Sequence, residues 1–135
     1  MSKTIKIQVI ITLIFNSLIL IGAGHGFGPV ILFEILMFSK DFTKDCVNLI
    51  GTYDERLIPF SFFNLIIQII LLISIFAKFK AKKLINLSCI LLIINLLYFT
   101  FDFTESSLSR FTILSGIPFL VCGIILLIKL NTEKK

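Results

Sequence analysis

The side chains that could do chemistry are the few polar ones set inside long apolar runs. Asn16, Asn64, Gln68 and Asn95 each interrupt a stretch of Ile, Leu, Val and Phe. A carboxamide donates and accepts, and in an apolar medium it is costly unless paired. Asn64 and Gln68 are four residues apart, which puts them on one face of a helix. Counted from the basic end of its run, Asn16 lies at about the same depth as Asn95. The four residues therefore read as one polar layer facing the interior of a bundle. That layer has two readings. One is structural, with interhelical hydrogen bonds worth roughly 0.6–2 kcal/mol each. The other is a polar pocket open to the outer face, floored by Asn16, Gln68 and Asn95.

His25 is the single histidine, and Glu34 follows nine residues later. No second histidine exists, so the pair lacks metal-ligand spacing and no metal is expected. It reads either as a mutually satisfied hydrogen-bonded pair or as a group that accepts a proton or holds a ligand. Glu34 interrupts the apolar run 30–38, so part of its side chain must meet apolar surroundings. The expectation is that it turns inward toward His25 and the outer end of the bundle. Both residues are placed near the membrane edge, leaving no charge at the depth of the carboxamide layer. That argues against a proton pump.

Catalytic constellations are otherwise missing. There is no Ser/His/Asp order, no HisGluXXHis and no acid pair inside an apolar run. Asp41/Asp45 and Asp102/Glu105 sit about a helical turn apart and read as solvated charges. The three cysteines form no CysXXCys; Cys46 falls in a polar segment, while Cys89 and Cys122 read as small apolar fillers. No catalytic residue and no cofactor is expected.

Gly22, Gly24, Gly26 and Gly28 alternate and are followed by Pro29. In a helix, Gly22/Gly26 and Gly24/Gly28 make overlapping GxxxG pairs that let backbones approach closely. In an extended state the same glycines expose backbone N–H and C=O groups. The first reading is a helix end that packs tightly and breaks at Pro29; the second is a backbone-lined binding site. Pro118 is expected to bend the helix that contains it.

The elements that must position these groups follow from composition. The chain has 135 residues, 57% apolar and 16% charged, against about 25% charged in an ordinary soluble domain. Its mean hydropathy is +1.05. A domain this small cannot hide so much apolar surface from water. These values exclude a soluble enzyme, a disordered tail, a disulfide-framed module and a nucleic-acid binder. Residues 7–33, 57–77, 84–101 and 111–128 carry no formal charge. Each is long enough to cross a hydrocarbon core of ~30 Å as a helix. None alternates apolar and polar residues as a barrel strand does, so no strands are expected.

The fold expected is an all-α integral membrane protein. It is an antiparallel four-helix transmembrane bundle, with spans at about 5–26, 58–78, 84–102 and 110–129, forming one domain over 1–135. A short interfacial or re-entrant helix over 30–38, packed on the outer ends of the bundle, lies in an external segment of about 27–57. Nine of the 13 basic residues fall at the two termini and in the turn between the second and third spans. By the positive-inside rule both termini are then cytoplasmic, in the cell (inner) membrane. A cleaved signal peptide is the competing reading of the N-terminus. The net charge of +5 is a topogenic signal.

Gly22, Gly26, Pro29 and Pro118 are expected to be structural. His25, Glu34, Asn16, Asn64, Gln68 and Asn95 are the candidates for ligand binding. The function expected first is a non-enzymatic accessory or effector subunit working through protein or lipid contacts. Its partners would be the bilayer and a second copy or another membrane protein, with no nucleic acid. The alternatives are an oligomeric transporter or pore subunit, or a binding protein or enzyme for a lipophilic small molecule at the outer face.

Overall fold

The computed structural model describes residues 2–23, 26–39, 49–77 and 81–132. Helix α1 covers Lys3–Ser17 and starts at Ser2, whose hydroxyl accepts from the Ile5 N–H at 3.3 Å. Strands β1 (Leu20–Ala23) and β2 (Gly26–Pro29) follow, then the short helix α2 (Val30–Leu36). Three long helices complete the chain: α3 (Leu57–Ser74), α4 (Ala81–Phe99) and α5 (Ser107–Thr132). All three are long and apolar enough to cross a membrane. The fold is thus mostly helical, with three candidate spans and a fourth, shorter helix at the N-terminus.

The glycine run corrects two expectations. The helical part of the first expected span, 5–26, ends at Ser17, and an antiparallel hairpin replaces its last third. The register pairs Leu20 with Pro29, Gly22 with Phe27 and Ala23 with Gly26. Gly22 and Gly26 therefore sit on strands and form no GxxxG helix face. Alternate glycines weaken a helix by about 1 kcal/mol each, and Pro29 denies it a donor. Ile19 and Ile21 are buried while Leu20 between them is exposed, which is strand periodicity. A side chain at Gly22 would meet Leu108 of α5 at 2.7 Å, whereas Gly26 faces open space. Pro29 caps α2, and the Val30 N–H returns to the Ile19 carbonyl at 2.8 Å, closing the base of the hairpin. Helix α5 runs unbroken through Pro118.

Helix α5 packs on α1 and α4, and α4 packs on α3. The remaining seam, between α3 and α1, is partly covered by α2. Small side chains set the close approaches. A Cβ at Gly116 would stand 3.0 Å from Leu96, and one at Gly123 would stand 3.4 Å from the Cys89 sulfur. Cys89 is buried there and donates to the Gly123 carbonyl at 3.5 Å. Cys46 lies outside the described residues. The interior holds Ile5, Val9, Ile85, Leu92, Phe119 and Leu126, yet Leu114 is 64% and Ile73 59% exposed. Helices apolar inside and out suit a lipid solvent.

Several hydroxyls in the core are satisfied within their own helices. Thr12, Ser61 and Thr100 each donate to the carbonyl four residues back, at 2.8 Å. Such back-bonding removes a hydroxyl from an apolar interior at little conformational cost.

Candidate functional site

A single hydrogen-bonded cluster gathers α1, α2, α3 and α4. Asn16 comes from the last turn of α1, Glu34 from α2, Asn64 and Gln68 from successive turns of α3, and Asn95 from α4. Asn64 Nδ2 donates to Asn16 Oδ1 at 2.9 Å and to Glu34 Oε1 at 2.8 Å. Gln68 Nε2 donates to the same two oxygens, at 2.6 Å and 3.0 Å. The result is a closed square of two NH2 donors and two oxygen acceptors. All four amide hydrogens are used, and each oxygen receives two. Asn95 Nδ2 backs the square, donating to the Phe60 carbonyl at 3.1 Å and to Asn64 Oδ1 at 3.5 Å. Asn16, Asn64 and Asn95 are buried.

The square fixes the amide orientations. Turning Gln68 over would set its oxygen against two other oxygens, so its nitrogen must point inward. One loose end remains: Asn16 Nδ2 is buried with no acceptor among the described residues.

Glu34 is 3% exposed. Among the described residues no Lys or Arg pairs with it. Its place corrects the sequence reading. Helix α2 does not sit on the outer ends of the bundle; it docks beside the middle of α3, level with Asn64 and Gln68. A carboxyl group therefore does lie at the depth of the carboxamide layer. A helix too short to span can lie at the interface or re-enter the bundle, and the run 30–38 by itself does not say how deep it sits. His25 lies outside the described residues.

Beside the square, residues of α1, α2 and α3 line a groove of about 550 Å³. Ile10, Leu13, Ile14, Leu18, Ile31 and Leu72 supply apolar wall, and Gln68 and Ser17 are its polar side chains. Its rim residues Ile10, Ile14, Leu18 and Leu72 are exposed on the apolar flank of the bundle. The opening is thus lateral, where an opening at the outer face was expected.

A second polar centre was missed in the sequence. Arg56, at the start of α3, is fully buried, and its Nη2 lies 2.8 Å from Asp102 Oδ2. Its guanidinium stacks 4.0 Å over the Phe101 ring. Ser109 donates to Asp102 Oδ1 at 2.6 Å. Burial alone would raise the Asp102 carboxyl, but Ser109 and Arg56 together hold it below the ordinary value. These contacts pin α3, the α4–α5 turn and α5 at one end. Asp102 is therefore not the solvated charge the sequence implied. The signal was available: Arg56 and Asp102 are opposite charges bordering adjacent apolar runs on the same side. Tyr53 completes this end, sharing a 2.7 Å hydrogen bond with Thr112 and packing on Phe99, which stacks on Phe60. Burial pushes the Tyr53 phenol up to about 12, so it keeps its proton.

Among the described residues no group of three or more His, Cys, Asp or Glu gathers to hold a metal. Comparison of the chain with protein-family models, with curated proteins and with solved structures finds no match.

Proposed function

We propose that this chain is a binding protein for a lipophilic small molecule, embedded in the cell membrane, that admits its ligand sideways from the bilayer between α1 and α3. The groove carries this reading. Its volume falls within the ~300–1,000 Å³ of small-molecule pockets, and its walls are apolar apart from Gln68 and Ser17. The accessory-subunit reading rests on exposed apolar surface alone, which contact with lipid already explains.

The reading includes an antiparallel four-span bundle with both termini cytoplasmic. The order of contacts supports it. From Gln8 to Leu20 to Gly22, the first segment meets α5 at Cys122, Ser115 and Leu108 in turn. Asn64 and Phe60 meet Asn95 and Phe99, and Arg56 meets Asp102. Cys89, Leu96 and Asp102 meet Gly123, Gly116 and Ser109. Helix α1 alone spans only ~22 Å, and β1 adds ~13 Å, so together they reach across. In a Cys46→Ser background, maleimide added outside intact cells is expected to label Ser106→Cys and to miss Thr132→Cys. The opposite pattern would invert the topology.

The function is tested with an alkyl probe bearing a diazirine, photolysed on protein in lipid nanodiscs. Labels are expected to concentrate on residues 10–18 and 65–72, and Leu13→Trp, which fills the groove, is expected to remove them. Labelling spread evenly over every apolar face, and unchanged in Leu13→Trp, would leave only ordinary lipid contact and end the proposal.

A further inference from the structure

We infer that the groove selects a ligand whose head donates hydrogen bonds, a protonated alkylamine above all. This rests on the lipophile-binding reading and assigns the chemical class of its ligand. The square of hydrogen bonds decides it. Both hydrogens of Gln68 Nε2 are committed inward, to Asn16 Oδ1 and Glu34 Oε1. What Gln68 has left for the groove it lines is its oxygen. An acceptor on the wall calls for a donor on the ligand. A ketone or ester head would set oxygen against oxygen and leave both unpaired.

Charge carries the argument from donor to cation. Glu34 stands directly behind Gln68, 3.0 Å from its nitrogen. No Lys or Arg among the described residues offsets its carboxylate. Hydrogen bonds that involve an ion are roughly twice as strong as neutral ones, and a low-dielectric surround strengthens the field a charge exerts. An ammonium head at the Gln68 oxygen lies within that field, and Ser17 is the groove's other polar side chain. Its alkyl chain lies along Leu13, Ile14 and Leu72. The layout places the polar head against the cluster and leaves the tail among residues already facing lipid.

The experiment uses the full chain in nanodiscs and measures protection of the groove from the diazirine probe. Three competitors of matched chain length are compared: dodecylamine, 1-dodecanol and 2-tridecanone. The amine is expected to compete about 10-fold better than the ketone, with the alcohol between them. Glu34→Gln keeps an oxygen for the square but removes the charge, so it is expected to bring the amine down to the level of the alcohol. Gln68→Leu is expected to level all three. Equal competition by amine and ketone in the wild type would overturn the donor rule while leaving the groove as a lipophile site. Failure of all three against a groove that the probe does label would overturn it too. No groove labelling at all would remove the site itself. Because the wild-type series stands alone, a variant that failed to fold would not shelter the idea.

Discussion

Asp102→Ala is expected to destabilise the protein by about 3 kcal/mol, the largest effect of any single side-chain truncation outside the core. The reason is what it leaves behind. Arg56 is fully buried, and its Nε and Nη1 find no acceptor among the described residues. Removing its carboxylate strands a cation in an apolar site, which costs about 3–5 kcal/mol. The lower end applies because the Asp102 side chain is 21% exposed and water reaches it. Arg56→Met is expected to cost only about 1 kcal/mol, since Asp102 keeps the Ser109 hydroxyl and solvent. The double variant Arg56→Met/Asp102→Leu should lie within about 1 kcal/mol of the wild type. Denaturant melts in detergent decide the order; equal losses for the two single variants would mean that the pair acts by packing rather than by charge. The pH dependence has a fixed sign. Asp102 is held below its ordinary 3.8 in the folded state, so its contribution is complete above that value. It is lost only as pH falls through 3.8 and on through the lower folded value.

Asn64→Leu is expected to cost about 2–3 kcal/mol and to disconnect the site at once. Asn64 supplies two of the four bonds of the square and receives a long one from Asn95. Interhelical bonds in membranes average about 0.6 kcal/mol, so simple subtraction gives less than 2 kcal/mol. The excess comes from Glu34 and Asn16, whose oxygens are left half-served in a dry place. Adding Glu34→Leu to Asn64→Leu should therefore recover part of the loss, because it removes the stranded acceptor. A double variant that loses the full sum of the single effects would show that the two residues are not coupled.

Much of this architecture is legible in the chain. Runs without charge mark α3, α4 and α5 to within a few residues, because a bilayer-length helix leaves a long, unambiguous trace. The carboxamides of Asn16, Asn64, Gln68 and Asn95 are legible as one layer, since each must find a partner and only each other are at hand. Two features were hidden. The hairpin was hidden because Ile19 and Ile21 suit a strand or a helix equally, and the glycines beyond them permit both. The depth of Glu34 was hidden because hydropathy reports how apolar a segment is and not whether it lies beside the bundle or on top of it. The Arg56–Asp102 pair was legible in principle, but only after the turns had been folded so that their charges met.

Helix α2 is seven residues long, about 10 Å, and no membrane-insertion machinery could hand it to a bilayer as a span. Its carboxyl group also depends on donors that do not yet exist when it is made, since Asn64 is synthesised thirty residues after Glu34. The order of assembly is therefore the reverse of the order of synthesis at this point. Helix α3 must arrive first and present Asn64 and Gln68, and only then can α2 swing in and seat its carboxyl. The groove between α1 and α3 therefore takes shape only once α3 is in place, and it would come apart if α3 were withdrawn.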